Sequence, residues 1–544
     1  MTSARQGALL TFALFAGLVA LKLQVNIGVR AWGPDGSLYV EVARNVRDGH
    51  GLVSWISMYH AGVEHFPFPT PLYPAWPTLL GLVARVVPLD LAAVWLPTFL
   101  FFGAVILARK LARELWPGPL FPYLWEALDA GHLALLLLGY NALFFEYTSR
   151  PYTEGLAFFT LFLFLARAKG FFAAPTALRA VELGAWAGFL ILVRAQMFLV
   201  TLALGAVFVW AAVALAPRAR WARLGAAAAA GWGLALAPQL AHLATFYEPL
   251  GLGALLRFEQ FRPTPLLAPV KMLIAIDGPV AYALDRARGF VQAYAIDGAF
   301  AYRKNFGFFQ WAPALAAAGV LLAAATLPRA DTRAALHRAV DALRRPEHGH
   351  RVLLALLALG GYFSIHTLHK SYGQEWNFAT RHALTVLFLF AWGVVALARG
   401  AGPARAAAVA IVAISAWHQA RDLQTLFETV VEEEAGTRGY RPGLTGWLAA
   451  EKARKGSLVL VSEQATRLAV ALPEVPIHWV WWKTSHADLV AIFEARDADY
   501  LLVLNESPPS AFADDPAFAV RFEEVFADLS GTRVYRLRQP GAFP

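Results

Sequence analysis

Residues 7–28 read GALLTFALFAGLVALKLQVNIG, a run long enough to cross about 30 Å of hydrocarbon as one helix. Further apolar runs lie near 90–108, 124–146, 153–166, 181–194, 196–216, 224–246, 307–327, 352–369, 382–398 and 404–419, so that about eleven spans are expected. With 58% hydrophobic and only 16% charged residues, this surface cannot be hidden in one core. Single cores stop growing near ~250–300 residues. A water-soluble enzyme, a disordered scaffold and a collagen-like chain are therefore excluded. A polytopic α-helical membrane protein is expected.

The first run is too long for a signal peptide and no small-x-small cleavage site follows it, so it reads as an uncleaved span. The net charge of +9 implies no nucleic-acid partner, because basic residues of membrane proteins collect in cytoplasmic loops. Here Arg109 to Arg113, Arg167 to Arg179, Arg218 to Arg223, Arg329 to Arg351, and Arg399 with Arg405 fall in alternate connections. That phase places the N-terminus in the cytoplasm and the C-terminus outside a bacterial-type plasma membrane. It holds only if residues 72–88, with three prolines and Arg85, lie at the interface and do not cross. Zero cysteines exclude disulfides, thiolate metal sites and cysteine nucleophiles.

Residues 1–420 thus form the transmembrane part, with long outer-side stretches at 30–89 and 248–305. In the first stretch Leu38, Val42 and Val46 recur at helical spacing, which predicts an amphipathic helix capped near Asp35 and ended at Gly49. Residues 421–544 have the composition of a small outer-side α/β domain. SLVLVSE (457–463), IHWVWW (477–482), DYLLVLNE (499–506) and TRVYRLR (532–538) read as strands, and SHADLVAIFEARDA (485–498) as a helix.

No phosphate-binding glycine loop, zinc motif or serine-nucleophile motif stands in a suitable context. The polar residues at span ends remain. Asp35 reads either as a helix cap or as a general base at the membrane surface. Glu64 and His65 precede a proline-rich run containing Tyr73; loop and site readings are both open. Glu154 enters an apolar run, where ionisable side chains are paired or functional. Arg194 interrupts another such run and marks either a turn or a cavity. Arg381 and His382 open a late span, where an arginine either snorkels or grips a phosphate.

Asp35-Gly-Ser-Leu-Tyr39, followed by Ala43-Arg44-Asn45 and Gly49-His50-Gly51, resembles the first outer-loop motif of the GT-C superfamily of membrane glycosyltransferases. The bacterial relatives of protein O-mannosyltransferases and lipid A aminoarabinose transferases are the nearest in pattern. Thr70-Pro71-Leu72-Tyr73-Pro74 is similar to that family's Pro-Pro-Leu-Tyr-Pro element. Tyr147-Thr148-Ser149-Arg150 with Glu154 resembles its second outer-loop motif, and Arg381-His382 its late Arg-Tyr.

The resemblance implies a GT-C-like fold with outer juxtamembrane helices and transfer of a sugar from a polyprenyl-phosphate donor. The acceptor would be a glycolipid, glycan or protein, and the anomeric centre would invert. Asp35 would be the base, and Glu64 or Glu154 would fill the place of a second acid that Gly36 does not supply. Tyr39, His65, Tyr73, Arg150, Arg381 and His382 would bind substrate, and Arg194, Arg303 and Lys304 are the other places for the donor phosphate if Arg381 only snorkels. The resemblance requires no cofactor and leaves a divalent metal as the one candidate. A lipid-linked glycan transporter or ligase, and a non-catalytic membrane subunit, are the competing readings; in the subunit the carboxylates would be dispensable. The layout is checked by fusing alkaline phosphatase, active only outside, after Pro544. An active fusion is expected, and a silent but well-expressed one overturns the topology.

Overall fold

The computed structural model describes residues 3–28, 32–57, 66–69, 74–122, 125–194, 197–215, 217–247, 345–358, 387–400, 402–437, 442–462, 465–480, 484–503, 516–527 and 532–538. They sort into two compact units. The first comprises residues 1–28, 97–149 and 153–431; the second comprises 29–96, 150–152 and 432–544.

The first unit is helical. It contains α1 (Ser3–Gly28), and later α6 (Ala142–Ser149), α7 (Glu154–Ala173), α8 (Ala177–Val193), α9 (Phe198–Ala214) and α10 (Arg218–Tyr247). Near the C-terminal end it adds α11 (Leu387–Ala398) and α12 (Gly402–Thr437). Helix α4 (Leu89–Leu115) begins in the second unit and continues into the first. Among the described residues, Ala4–Ile27, Leu89–Leu115 and Glu154–Ala173 are long and apolar enough to cross a membrane. The expected span 307–327 lies outside the described residues, and 352–369 and 382–398 lie partly outside them.

The stretch 124–146, expected as one span, is corrected by the structure. A hairpin of β4 (Pro119–Phe121) and β5 (Trp125–Asp129) leads into α5 (Ala130–Ala134), which runs on as a π-helical turn, Leu135–Gly139. Local capping explains the breaks. The Asp129 carboxylate accepts from His132 N at 3.0 Å, and Asn141 Oδ1 accepts from Phe144 N at 2.9 Å, so each starts a new helix.

In the second unit α2 (Pro34–Asp48) carries the predicted apolar stripe, with Leu38, Val42 and Val46 buried. It ends where the sequence says, at Gly49, whose φ of 89° is the left-handed geometry that glycine supplies without strain. Its N-cap is Gly33, so Asp35 stands in the first turn and is not the cap. The nine-residue α3 (Ala75–Val83) rises only about 14 Å, too little to cross, and packs on α2. A short ladder joins β1 (Val53–Ser54) to β3 (Phe68–Pro69).

The other strands of this unit form a six-stranded sheet. It comprises β2 (Ile56–Ser57), β6 (Leu460–Ser462), β7 (Ile477–Trp479), β8 (Tyr500–Val503), β9 (Phe522–Ala527) and β10 (Arg533–Leu537), in the order β2-β7-β6-β8-β10-β9. The first four run parallel, and β10 and β9 continue antiparallel. Helices α13 (Pro442–Lys455), α14 (Ala465–Ala471), α15 (His486–Arg496) and α16 (Pro516–Arg521) alternate with the strands. Val461, Val480, Leu489, Phe493, Leu501, Phe518 and Phe522 form the core.

Two side chains of α2 tie this helix and the strand that follows it to the sheet. Arg44 donates to the carbonyls of Ala469 and Val470 at 3.3 and 3.0 Å, at the end of α14 where a cation is favoured. Glu41, buried, accepts from Asn45 Nδ2 at 3.0 Å and from Trp55 N at 2.9 Å. Trp55 O then accepts from Ile477 N at 2.9 Å, which sets β2 beside β7. Burial pushes the Glu41 carboxyl up from 4.5 to about 7, against its hydrogen bonds and the charge of Arg44.

A carboxyl raised in the folded state gives its full stability below the unfolded value and loses it as pH rises through the folded one. Thermal melts should therefore show the protein weakening between about pH 5 and 8. Glu41→Gln keeps the acceptor for Trp55 N and should flatten that limb, gaining up to about 3 kcal/mol at pH 8. Parallel pH profiles for the two proteins would contradict this.

Candidate functional site

Asp35 is exposed in the first turn of α2. The turn is fixed from two directions. Ser37 Oγ donates back to Trp32 O at 3.1 Å, and Ser37 N to Gly33 O at 3.0 Å. The segment Arg150-Pro151-Tyr152 packs on the same end. A Cβ on Gly33 would collide with the Tyr152 hydroxyl and lie 3.8 Å from Arg150 Nη1, and one on Gly36 would lie 3.2 Å from Pro151 Cγ. Only residues without a side chain allow this approach. Trp76 of α3, fully buried, donates from Nε1 to Pro151 O at 2.8 Å and holds the segment down.

The structure therefore brings Asp35 and Arg150, predicted from separate motifs, to one end of one helix. Tyr39 lies one turn along α2 and is buried, as are Arg150 and Tyr152. A carboxylate can take a proton and a guanidinium can hold an anionic oxygen, and here both belong to one helix end.

Glu154 and Arg194 turn out to be each other's partners in the first unit. Arg194 Nη1 donates to Glu154 Oε1 at 2.5 Å, with both side chains buried. Arg194 ends α8 in an extended conformation, and Glu154 begins α7. Glu64, His65, Tyr73, Arg303, Lys304, Arg381 and His382 lie outside the described residues. Among the described residues no group of three or more His, Asp or Glu side chains is placed to hold a metal ion.

Among the described residues, two buried lysine, arginine, aspartate or glutamate side chains were not singled out from the sequence. Glu41 is one. The other is Lys22 of α1, whose Nζ donates to Phe145 O at 2.8 Å, Thr148 Oγ1 at 2.8 Å and Ser149 Oγ at 2.7 Å. It also sits 4.8 Å from the centre of the Phe101 ring. Its signal was available, since Lys22 is the one charged residue of the run 7–28. Glu41 gave no such signal, because its helix carries other charged residues, Asp35, Arg44, Arg47 and Asp48.

No protein-family model and no curated protein matches the sequence. Among solved structures, the chain is similar to the oligosaccharyltransferase of Archaeoglobus fulgidus tethered with an acceptor peptide. The TM-score is 0.44 at 12% identity, over 97% of this chain and 74% of that one. It is also similar to ArnT from Cupriavidus metallidurans bound to undecaprenyl phosphate, with a TM-score of 0.40 at 15% identity, over 98% and 99% of the two chains. Both likenesses are remote.

The Glu154–Arg194 pair makes a sharp prediction. Arg194→Met takes the guanidinium from a buried carboxylate and should cost about 3–5 kcal/mol, whereas adding Glu154→Gln should recover most of it. Thermal melts of the double-mutant cycle decide. Independent, additive losses would mean that the two side chains do not depend on each other.

Proposed function

We propose that this protein is a membrane glycosyltransferase that moves a sugar from a polyprenyl-phosphate donor to a glycolipid, glycan or protein acceptor on the outer face of the membrane. The observation that carries the reading is the placement of Arg150 against the end of α2 where Asp35 is exposed. Two motifs far apart in the sequence meet there, and each supplies the chemistry the other lacks.

In the reaction the acceptor oxygen or nitrogen attacks the anomeric carbon as Asp35 takes its proton. The carbon–oxygen bond to the donor phosphate breaks, and the polyprenyl phosphate leaves with the electron pair. Attack opposite to the leaving group inverts the configuration. Arg150 balances the charge that builds on the phosphate, as a fixed cation does best in a dry site. Arg381, from the second half of the resemblance, is the further candidate for that phosphate. Glu154 and Arg194, held to each other, brace the bundle in this reading. A lipid phosphate is already activated, so the mechanism requires no nucleotide.

The test is transfer by the purified protein supplied with polyprenyl-phosphate sugars, the product being read by mass spectrometry. Asp35→Asn should lower transfer by about 10²- to 10⁴-fold, the loss expected when a general base is removed. Its melting temperature should stay close to wild type, because Asp35 is exposed and Gly33 is the cap. Arg150→Lys should recover only part of what Arg150→Ala loses, since an ammonium cannot make the paired contact. Wild-type transfer by the Asn variant would remove Asp35 from the mechanism.

A further inference from the structure

Helix α1, the π-helical turn after α5, and α12 of the first unit border a groove of about 500 Å³. Its walls are mainly hydrocarbon, with Leu21, Leu136, Leu423 and Phe427 among them. The polar groups on its rim are mostly engaged within the protein. Tyr140 Oη donates to Leu14 O at 2.5 Å, and Gln424 Nε2 donates to Glu428 Oε1 at 3.0 Å. Gln419 is different. It lines the groove and is only 2% exposed, and among the described residues neither its Oε1 nor its Nε2 has a hydrogen-bond partner.

A buried amide without partners is costly enough that native proteins rarely keep one without a reason. The depth of Gln419 suggests the reason. It stands where the apolar run 404–419, expected from the sequence as a span, gives way to Arg421 and Asp422, and at the end of a span membrane lipids carry the linkage between chain and head group. The amide has one acceptor and one donating nitrogen side by side, so its complement must donate and accept from neighbouring atoms. A prenyl or alkyl chain does neither, and an ester only accepts. A hydroxyl next to a carbonyl does both.

We propose that this groove binds a membrane lipid through one hydrocarbon chain, with a hydroxyl-bearing linkage hydrogen-bonded to the Gln419 amide. The chain lies along Leu21, Leu136, Leu423 and Phe427, and the hydroxyl donates to Oε1 while Nε2 donates to the linkage carbonyl.

The full-length protein in nanodiscs of an ester-only phosphatidylcholine tests this, with bound lipid counted by native mass spectrometry. The probes are 1-monopalmitoylglycerol, its 2,3-di-O-methyl ether and a polyprenyl phosphate. Wild type should prefer the monoacylglycerol to the ether by ~10-fold, as one or two hydrogen bonds allow. Gln419→Leu should bind the two within ~2-fold of each other, because the apolar side chain offers neither donor nor acceptor. Ala416→Phe, which fills the groove, should abolish binding of both. Equal binding of probe and ether by wild type, tighter binding of the polyprenyl phosphate, or a preference retained by Gln419→Leu each overturns the proposal. Should Gln419→Leu not fold, wild type and Ala416→Phe decide it: a preference that the filled groove removes upholds the site, and one that survives overturns it.

Discussion

Hydrocarbon offers no hydrogen-bond partner, so a polar group carried into a span must find its partner inside the protein. The first unit is arranged around that requirement. Lys22 is wrapped by one carbonyl and two hydroxyls of α6 and by the face of Phe101. Asn26 donates to Thr98 at 2.6 Å, tying α1 to α4. Glu154 and Arg194 close on each other between the starts and ends of α7 and α8. Each pairing fixes which faces of the helices meet. Apolar packing alone would leave this loosely specified, since lipid tails are as apolar as the side chains.

The second unit solves a different problem, which is how to hold a short amphipathic helix in one place. Apolar burial puts Leu38, Val42 and Val46 inward, and α3 covers them. The polar residues of the same helix then act as ties. Glu41 holds the strand backbone at Trp55, Arg44 holds the end of α14, and the Trp76 indole holds Pro151 against the first turn. With the helix held at several points, the exposed side chain in its first turn is presented from a rigid support. The proposed role of Asp35 as proton acceptor would draw on that support, because a small misplacement costs heavily in rate.

Much of the local structure was legible in the sequence, for reasons that can be named. The helix ending at Gly49 follows from a 3.6-residue apolar period and a glycine able to take positive φ. The strands near 460, 477, 500 and 533 follow from short β-branched and aromatic runs between turn residues. The break at 124–146 was not legible from hydropathy, which counts apolar residues but is blind to the Asp129 and Asn141 caps that restart the helix. Strand β2 has only two residues, too few for any period, and its place at the sheet edge comes from its pairing with β7.

The sequence by itself determined the solvent of this protein, the periodic elements, and the residue types available for chemistry at the ends of spans. Those are properties of neighbours along the chain, and hydropathy and spacing report them. Tertiary structure alone decided which charges became partners and which stayed exposed. Nothing local pairs Glu154 with Arg194, sets Asp35 in the helix turn on which the Arg150 segment packs, or marks Glu41 as the buried acid of an otherwise charged helix. Desolvation and pairing depend on what the fold brings within a few ångströms, and that is set by contacts between distant parts of the chain.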